Sequence, residues 1–254
     1  MLCEEFEEFR GGILGTPYLI VVLLCFSGIV VAMARLARVV APDRPHHITQ
    51  RGNRRMETFF CAQDYVAYRS LMATWCRHWS VEVWAYCLMP NHVHLIVVPQ
   101  SEEALSHAIG EAHRRYTRRV NFREGWRGHL WQGRFSSFVM DEIHLRMAMR
   151  YVELNPVKAG LVERPGDWPW SSAAAHLTGQ DDALVRIEPM YSEIGDWEAY
   201  LALDIDEEEA VAMRRHARTG RPLGNDAFIL KLETALARQL HPKKRGPKGP
   251  RKTN

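Results

Sequence analysis

Five cysteines in 254 residues, with no C-x-x-C pair among them, leave the chain without the means for a disulfide framework or a zinc knuckle. Cys3, Cys25, Cys61, Cys76 and Cys87 are odd in number and widely spaced, which fits a reducing, cytoplasmic setting. A large net charge is also lacking: the formal sum is +3. That sum hides opposing blocks. Residues 33–180 carry 19 Lys and Arg against 13 Asp and Glu, residues 181–209 carry 1 against 11, and residues 241–254 carry 6 basic residues and no acid. The basic excess has the sign that a nucleic-acid partner requires, although many solvated surfaces share it.

Charge is missing altogether between Arg10 and Arg35, a run of 24 residues. Its apolar part is long enough to cross a bilayer at about 20 residues per span. The acidic flank of Glu4, Glu5, Glu7 and Glu8 argues against a signal peptide, whose flank is basic. If the run spans, Arg35, Arg38 and Arg44 would hold the remainder in the cytoplasm. The abrupt change of composition at Met33 favours the other reading, in which translation starts there and residues 1–32 are an upstream extension.

What is present begins with periodicity. A strand is expected over 44–51, ending at Gly52-Asn53, then a helix over 62–79 with Tyr65, Tyr68, Leu71, Met72 and Trp75 at helical spacing. Strands over 81–88 and 92–98 flank the tight turn Met89-Pro90-Asn91 and form an antiparallel hairpin. A helix opens at Ser101-Glu-Glu and runs to about 121; a fourth strand covers 135–140; Asp141 caps a third helix ending near Asn155, before Pro156. The order β-α-β-β-α-β predicts an α+β, ferredoxin-like antiparallel sheet with helices on one face, followed by a further helix.

His92-Val93-His94 lies inside the third strand. Alternation puts both imidazoles on one face and Val93 on the other, so the pair can grip one metal ion, although two histidines fall two apart on strands by accident as well. Tyr151 and Asn155, four apart in Y-V-E-L-N-P-V-K, project from one helix face. A tyrosine on an amphipathic helix is ordinarily there for packing; a metal-holding pair close by would change that reading.

Met-Pro-Asn-His-Val-His, followed downstream by Tyr151 and Asn155 in Y-V-E-L-N-P-V-K-A-G-L-V, resembles the single-tyrosine HUH transposases, and within them the REP-associated tyrosine transposases of bacteria. Supporting segments are Pro45-His46-His47-Ile48-Thr49-Gln50-Arg51-Gly52-Asn53-Arg54, Leu130-Trp131-Gln132-Gly133-Arg134-Phe135 and Asp167-Trp168-Pro169-Trp170-Ser171-Ser172; the resemblance covers about residues 33–172. It implies attack by the Tyr151 hydroxyl on a phosphodiester of single-stranded, hairpin-forming DNA, leaving a 5′-phosphotyrosine that is later reversed onto a new end. It further implies a divalent metal, Mg²⁺ or Mn²⁺, held by His92, His94 and Asn155. Two imidazoles by themselves would suit Mn²⁺ or zinc better than Mg²⁺, and many relatives have glutamine where Asn155 stands.

DNA-contact candidates are Arg51, Asn53, Arg54 and Arg55 after the first strand, Arg114, Arg115, Arg118 and Arg119 on the second helix, and Gln132 and Arg134 in the Trp-rich loop. Trp126 and Trp131 are candidates for stacking on unpaired bases. Such arginine runs are also ordinary solvated faces, and such tryptophans packing plugs. Tyr116, among arginines that would lower a phenol pKa, is the rival nucleophile; the Y-x-x-x-N motif favours Tyr151.

The expected organisation is an extension over 1–32, a transposase domain over 33–178, an acidic linker or helical arm over 179–209, a small helical appendage over 210–240 and a basic, disordered tail over 241–254. Three functions compete: an active strand-transferring transposase on hairpins such as repetitive extragenic palindromes, a domesticated hairpin-binding protein, and a metal-dependent hydrolase. Whether the enzyme is a monomer or a homodimer, and whether His92 and Tyr151 meet in one chain, is left open by the sequence.

Overall fold

The computed structural model describes residues 37–241. The apolar run over 1–32 and the basic tail beyond 241 lie outside the described residues. Among those described, no helix is long and apolar enough to cross a membrane.

Strands β1 (His46–Arg51), β2 (Val81–Met89), β3 (His92–Pro99) and β4 (Ser136–Val139) form one antiparallel sheet in the order β2-β3-β1-β4. Helices α1 (Ala62–His78) and α2 (Ala104–Glu124) make the two crossovers, giving the expected β-α-β-β-α-β arrangement. The element limits differ from the expected ones by a few residues: α2 starts at Ala104 and runs on to Gly125, whose φ of 66° ends it.

Both faces of the sheet are covered, which explains the nearly unbroken apolar reading of β3. Val93, Leu95 and Val97 pack with Ile48, Leu88 and the apolar stripes of α1 and α2. Ile96 joins Ala85, Cys87, Met89 and Phe138 on the opposite face, beneath Leu145, Ala148, Met149 and Val152 of α3 (Glu142–Glu153). Each such aliphatic side chain contributes about 1.5–3 kcal/mol when fully buried. A slip of one residue would exchange the faces and drive His92 and His94 into the α1/α2 core, so burial fixes the register.

The Asp141 carboxylate caps α3 by accepting from the His144 N–H at 3.0 Å. The third helix stops at Glu153, and a short helix α4 (Asn155–Lys158) follows. Pro156 lies in the first turn of α4, where its missing N–H costs no hydrogen bond. Helix α5 (Ala173–Thr178) then docks against the end of α3.

The acidic segment, expected as a linker or helical arm, is helical but docked. It contains α6 (Tyr191–Ile194), α7 (Trp197–Ala202) and the start of α8 (Glu207–Thr219). Met190, Trp197 and Leu201 are buried against α3, Glu193 pairs with Arg146, and Glu209 pairs with Arg150 at 3.2 Å. These cations lie 47 and 59 residues away in sequence, so the segment's own composition could not announce them.

Residues 210–240, expected as a small helical appendage, are stitched to the sheet. The Leu223 N–H donates to the Val139 carbonyl at 2.9 Å and the Asp141 N–H to the Leu223 carbonyl at 3.1 Å, which covers the open edge of β4. Helix α9 (Asp226–Ala235) buries Leu232 with Val39, Ala41, Val139 and Leu240.

Acid should loosen this packing. His46 is wholly buried: its Nδ1–H donates to the Arg44 carbonyl and its Nε2 accepts from the Ala41 N–H, so the fold is built around the neutral ring. Burial lowers its pKa to about 4, and that of buried His113 to about 3. The unfolded chain therefore takes up these protons first, near pH 6.5. Their stabilisation is complete above that pH and is lost as pH falls toward 4. Urea midpoints measured from pH 7 to 4.5 are expected to fall, and to fall less in His46→Gln; an unchanged slope in that variant would refute the assignment.

Candidate active site

Cross-strand register assembles the site. Thr49 stands opposite His94 and Arg51 opposite His92, while Cys87 and Met89 flank the same two histidines from β2. His92 and His94 share this face as expected, with ring centroids 4.9 Å apart.

The Nδ1 atom of each ring is already engaged. His92 Nδ1 lies 2.6 Å from the Asn91 Oδ1 and so donates to it, leaving the Nε2 lone pair for a ligand. His94 Nδ1 lies 3.0 Å from the Nε2 of His47, a buried β1 residue, so Nε2 is again the remaining nitrogen. Burial, reinforced by the Arg51 cation, lowers the His92 pKa to about 4. Burial, reinforced by His92, His47 and Arg51, holds His94 well below the ordinary range. Both rings are thus neutral at physiological pH, the form that binds metal.

Tyr151, half-buried on α3, brings its ring to 5.6 Å from that of His94 and 6.3 Å from that of His47, nearly perpendicular to both. The histidine pair and the tyrosine therefore meet within one chain. Asn155 opens α4, and its side-chain amide donates to the Tyr151 carbonyl at 3.2 Å. That bond fastens Asn155 to the helix of Tyr151 and leaves Oδ1 as its acceptor.

Two neutral imidazole nitrogens on one face are compatible with a divalent ion whose other positions go to oxygens. Among the described residues no group of three His, Cys, Asp or Glu side chains could hold a metal. Any third protein ligand would therefore come from another donor type, such as an amide, a hydroxyl or a main-chain carbonyl oxygen.

Tyr116 is no nucleophile. It is fully buried, its hydroxyl donates to the Thr58 carbonyl at 2.6 Å, and burial pushes its pKa far up. Trp131 likewise packs in the core against Tyr116 and His113, whereas Trp126 remains exposed with its edge against Phe60.

The DNA-contact candidates divide in two. Arg51, Asn53, Arg54, Arg55 and Gln132 are all exposed near the His92 end of the sheet, where the Gln132 N–H donates to the Arg51 carbonyl, whereas exposed Arg134 lines a cavity with Arg114, His113 and Gly110 of α2. Gly52 lets this loop close: a Cβ there would sit 2.2 Å from the Met56 carbonyl oxygen. Arg54 and Arg55 then adopt φ of 53° and 64°, an uncommon conformation for residues with side chains. Arg114, Arg115, Arg118 and Arg119 are exposed on α2, whose helical layer lies across the sheet from the histidine face, and two of the four pair with Glu111.

Sequence reasoning missed two features. His47 received no role although the spacing His47, Thr49, Arg51 is that of one strand face; only pairing with β3 shows that this is the histidine face. It also missed Glu153, whose wholly buried carboxylate accepts from Ser172 Oγ at 2.5 Å and from His176 Nδ1 at 2.6 Å, joining the end of α3 to α5.

The family described as "Transposase IS200 like" matches residues 44–155, which include every residue of the site. A Haemophilus influenzae protein assigned as a REP-associated tyrosine transposase is 32% identical over 124 residues, covering 43% of this chain and 69% of the relative. The chain belongs to the REP-associated tyrosine transposases. The REP-associated tyrosine transposase of Escherichia coli K12 is 26% identical over 92 residues, with 36% of this transposase and 53% of that one covered. The fold of this transposase is shared by a REP-associated tyrosine transposase solved bound to a REP hairpin, with a TM-score of 0.51 and 23% identity, over 59% of this chain and 90% of the other.

Proposed function

We propose that the protein cleaves and rejoins single-stranded, hairpin-forming DNA through a 5′-phosphotyrosine on Tyr151. The observation that carries this reading is the placement of the Tyr151 ring 5.6 Å from His94 on the histidine face of one chain. A phenol with an ordinary pKa near ~10 is a weak nucleophile at neutral pH, so it must be oriented and its target phosphate polarised. His92, His94 and Asn155 would hold Mg²⁺ or Mn²⁺, which when bound would polarise the phosphoryl oxygens and offset charge that develops there. Tyr151 Oη attacks phosphorus, the 3′-oxygen leaves as a hydroxyl, and the new ester keeps the energy of the broken one, so rejoining is the same exchange in reverse.

Hairpin DNA, with a repetitive extragenic palindrome as its form, is the proposed substrate. Arg51, Arg54 and Arg55 supply cations beside the site, Arg134 supplies one next to Arg114 of α2, and Asn53 and Gln132 supply amides able to read base edges. Arg118 and Arg119 belong to a second basic patch on α2, across the sheet from the histidine face. If each contacts a phosphate, Arg118→Ala and Arg119→Ala each reduce the slope of log affinity against log salt by about 0.7–0.9. Fluorescence anisotropy of a labelled hairpin across a salt series reads this, and an unaltered slope in both variants removes α2 from the interface.

The test of the function is incubation of the protein with end-labelled hairpin and Mn²⁺. A labelled band that survives denaturation is expected. Retained binding with no adduct would favour a domesticated hairpin-binding protein, and free cleavage products with no adduct would favour a hydrolase.

A further inference from the structure

The His47–His94 contact uses the nitrogen of His94 that is turned away from ligand duty. The two rings are within 9° of parallel, their centroids are 5.2 Å apart, and His47 Nε2 is 3.0 Å from His94 Nδ1. That combination puts the rings edge to edge in nearly one plane, the geometry of an N–H···N hydrogen bond. His47 comes from β1 two positions along the face from Thr49, which stands opposite His94, so the contact is a diagonal cross-strand pair. Phe138 meets the His47 ring edge-on at 5.1 Å, and Tyr151 meets it perpendicularly at 6.3 Å.

Which ring donates decides what His94 can do. If His47 donated from Nε2, neutral His94 would carry its proton on Nε2 and could not offer that nitrogen to a metal. If His94 donates from Nδ1, its Nε2 lone pair is free, and His47 carries its own proton on Nδ1. The His47 Nδ1 atom is buried without a hydrogen-bond partner, so no second bond from the protein fixes the His47 tautomer. The choice therefore lies with whatever occupies His94 Nε2.

We propose that His47 is a positioning residue that accepts the His94 Nδ1–H and thereby holds the Nε2 lone pair of His94 toward the metal. This rests on the reading of His94 as a metal ligand. The role matches that of partners behind metal-bound histidines generally, whose loss lowers metal affinity about 10–100-fold. It also gives His47 a reason to lie buried between Phe138 and Tyr151: the ring that orients the ligand contacts the nucleophile as well.

Mn²⁺ binding, followed by the loss of the free-ion electron paramagnetic resonance signal, separates the two claims without any cleavage assay. His94→Ala is expected to bind Mn²⁺ much more weakly than the parent chain; equal binding would overturn the ligand reading itself. With that loss in hand, His47→Phe, which keeps a ring but offers no acceptor, should weaken binding ~10–100-fold. His47→Gln, whose carbonyl oxygen can accept from Nδ1–H, should restore it to within a few-fold of the parent. Parent-like affinity in His47→Phe, or a loss in His47→Gln as large as in His47→Phe, would overturn the role of His47. Should either variant fail to fold, ¹⁵N spectra of the parent chain with Mg²⁺ decide: a proton on His94 Nδ1 is required, and a proton on Nε2 would overturn the proposal.

Discussion

Tyr151→Phe is expected to eliminate the denaturation-resistant protein–DNA adduct and to lower strand cleavage by at least about 10³-fold, the scale on which loss of a covalent nucleophile acts. The substitution removes one oxygen and little else. The ring stays against His94 and His47, the apolar packing of α3 is retained, and Tyr151 is only half-buried, so stability should hold. Hairpin affinity should likewise be preserved, because the basic loop at Arg51–Arg55 is separate from the hydroxyl. A gel of end-labelled DNA with Mn²⁺ reads both adduct and cleavage. If the adduct persisted in Tyr151→Phe, another nucleophile would have to be sought, and Tyr116, sealed in the core, could not serve without local unfolding.

Glu153→Ala is expected to cost about 3 kcal/mol or more in urea unfolding, the range for breaking a buried polar pair by removing one partner. The Glu153 side chain is inaccessible to solvent, and one of its oxygens accepts from both Ser172 and His176. Truncation leaves the His176 Nδ1–H unpaired, while Ser172 Oγ keeps the Tyr86 carbonyl at 3.3 Å, and opens a cavity beside Trp197, whose ring stacks on His176 at 3.9 Å. Glu153→Gln retains an acceptor of the same reach and should cost less. Because Glu153 lies two residues after Tyr151, loosening the end of α3 should lower cleavage more than it lowers hairpin binding. Equal stability of Glu153→Ala and the parent would show that the contact is not holding α3.

These two residues mark the limits of sequence reading. Tyr151 was legible because spacing along a helix and resemblance to a family both single it out. Glu153, in the same motif, was not, because its partners Ser172 and His176 are 19 and 23 residues away and nothing local distinguishes a buried carboxylate from a solvated one. His47 stayed silent for a similar reason. The acidic segment misled in the opposite direction: its charge reads as solvent-facing, yet Glu193 and Glu209 answer arginines on α3.

The sequence by itself determined the element order, the α+β class and the common face of His92 and His94, because alternation along a strand and periodicity along a helix are properties of short segments. Tertiary structure decided which side chains meet. Docking of α3 on the histidine face put Tyr151 beside His94 in the same chain. Antiparallel pairing of β1 with β3 set His47 behind His94, and the return of the last helices closed the β4 edge. The physical reason is that hydrogen bonds and burial act across space: a residue's partners are chosen by register and packing between distant segments, which no local pattern encodes.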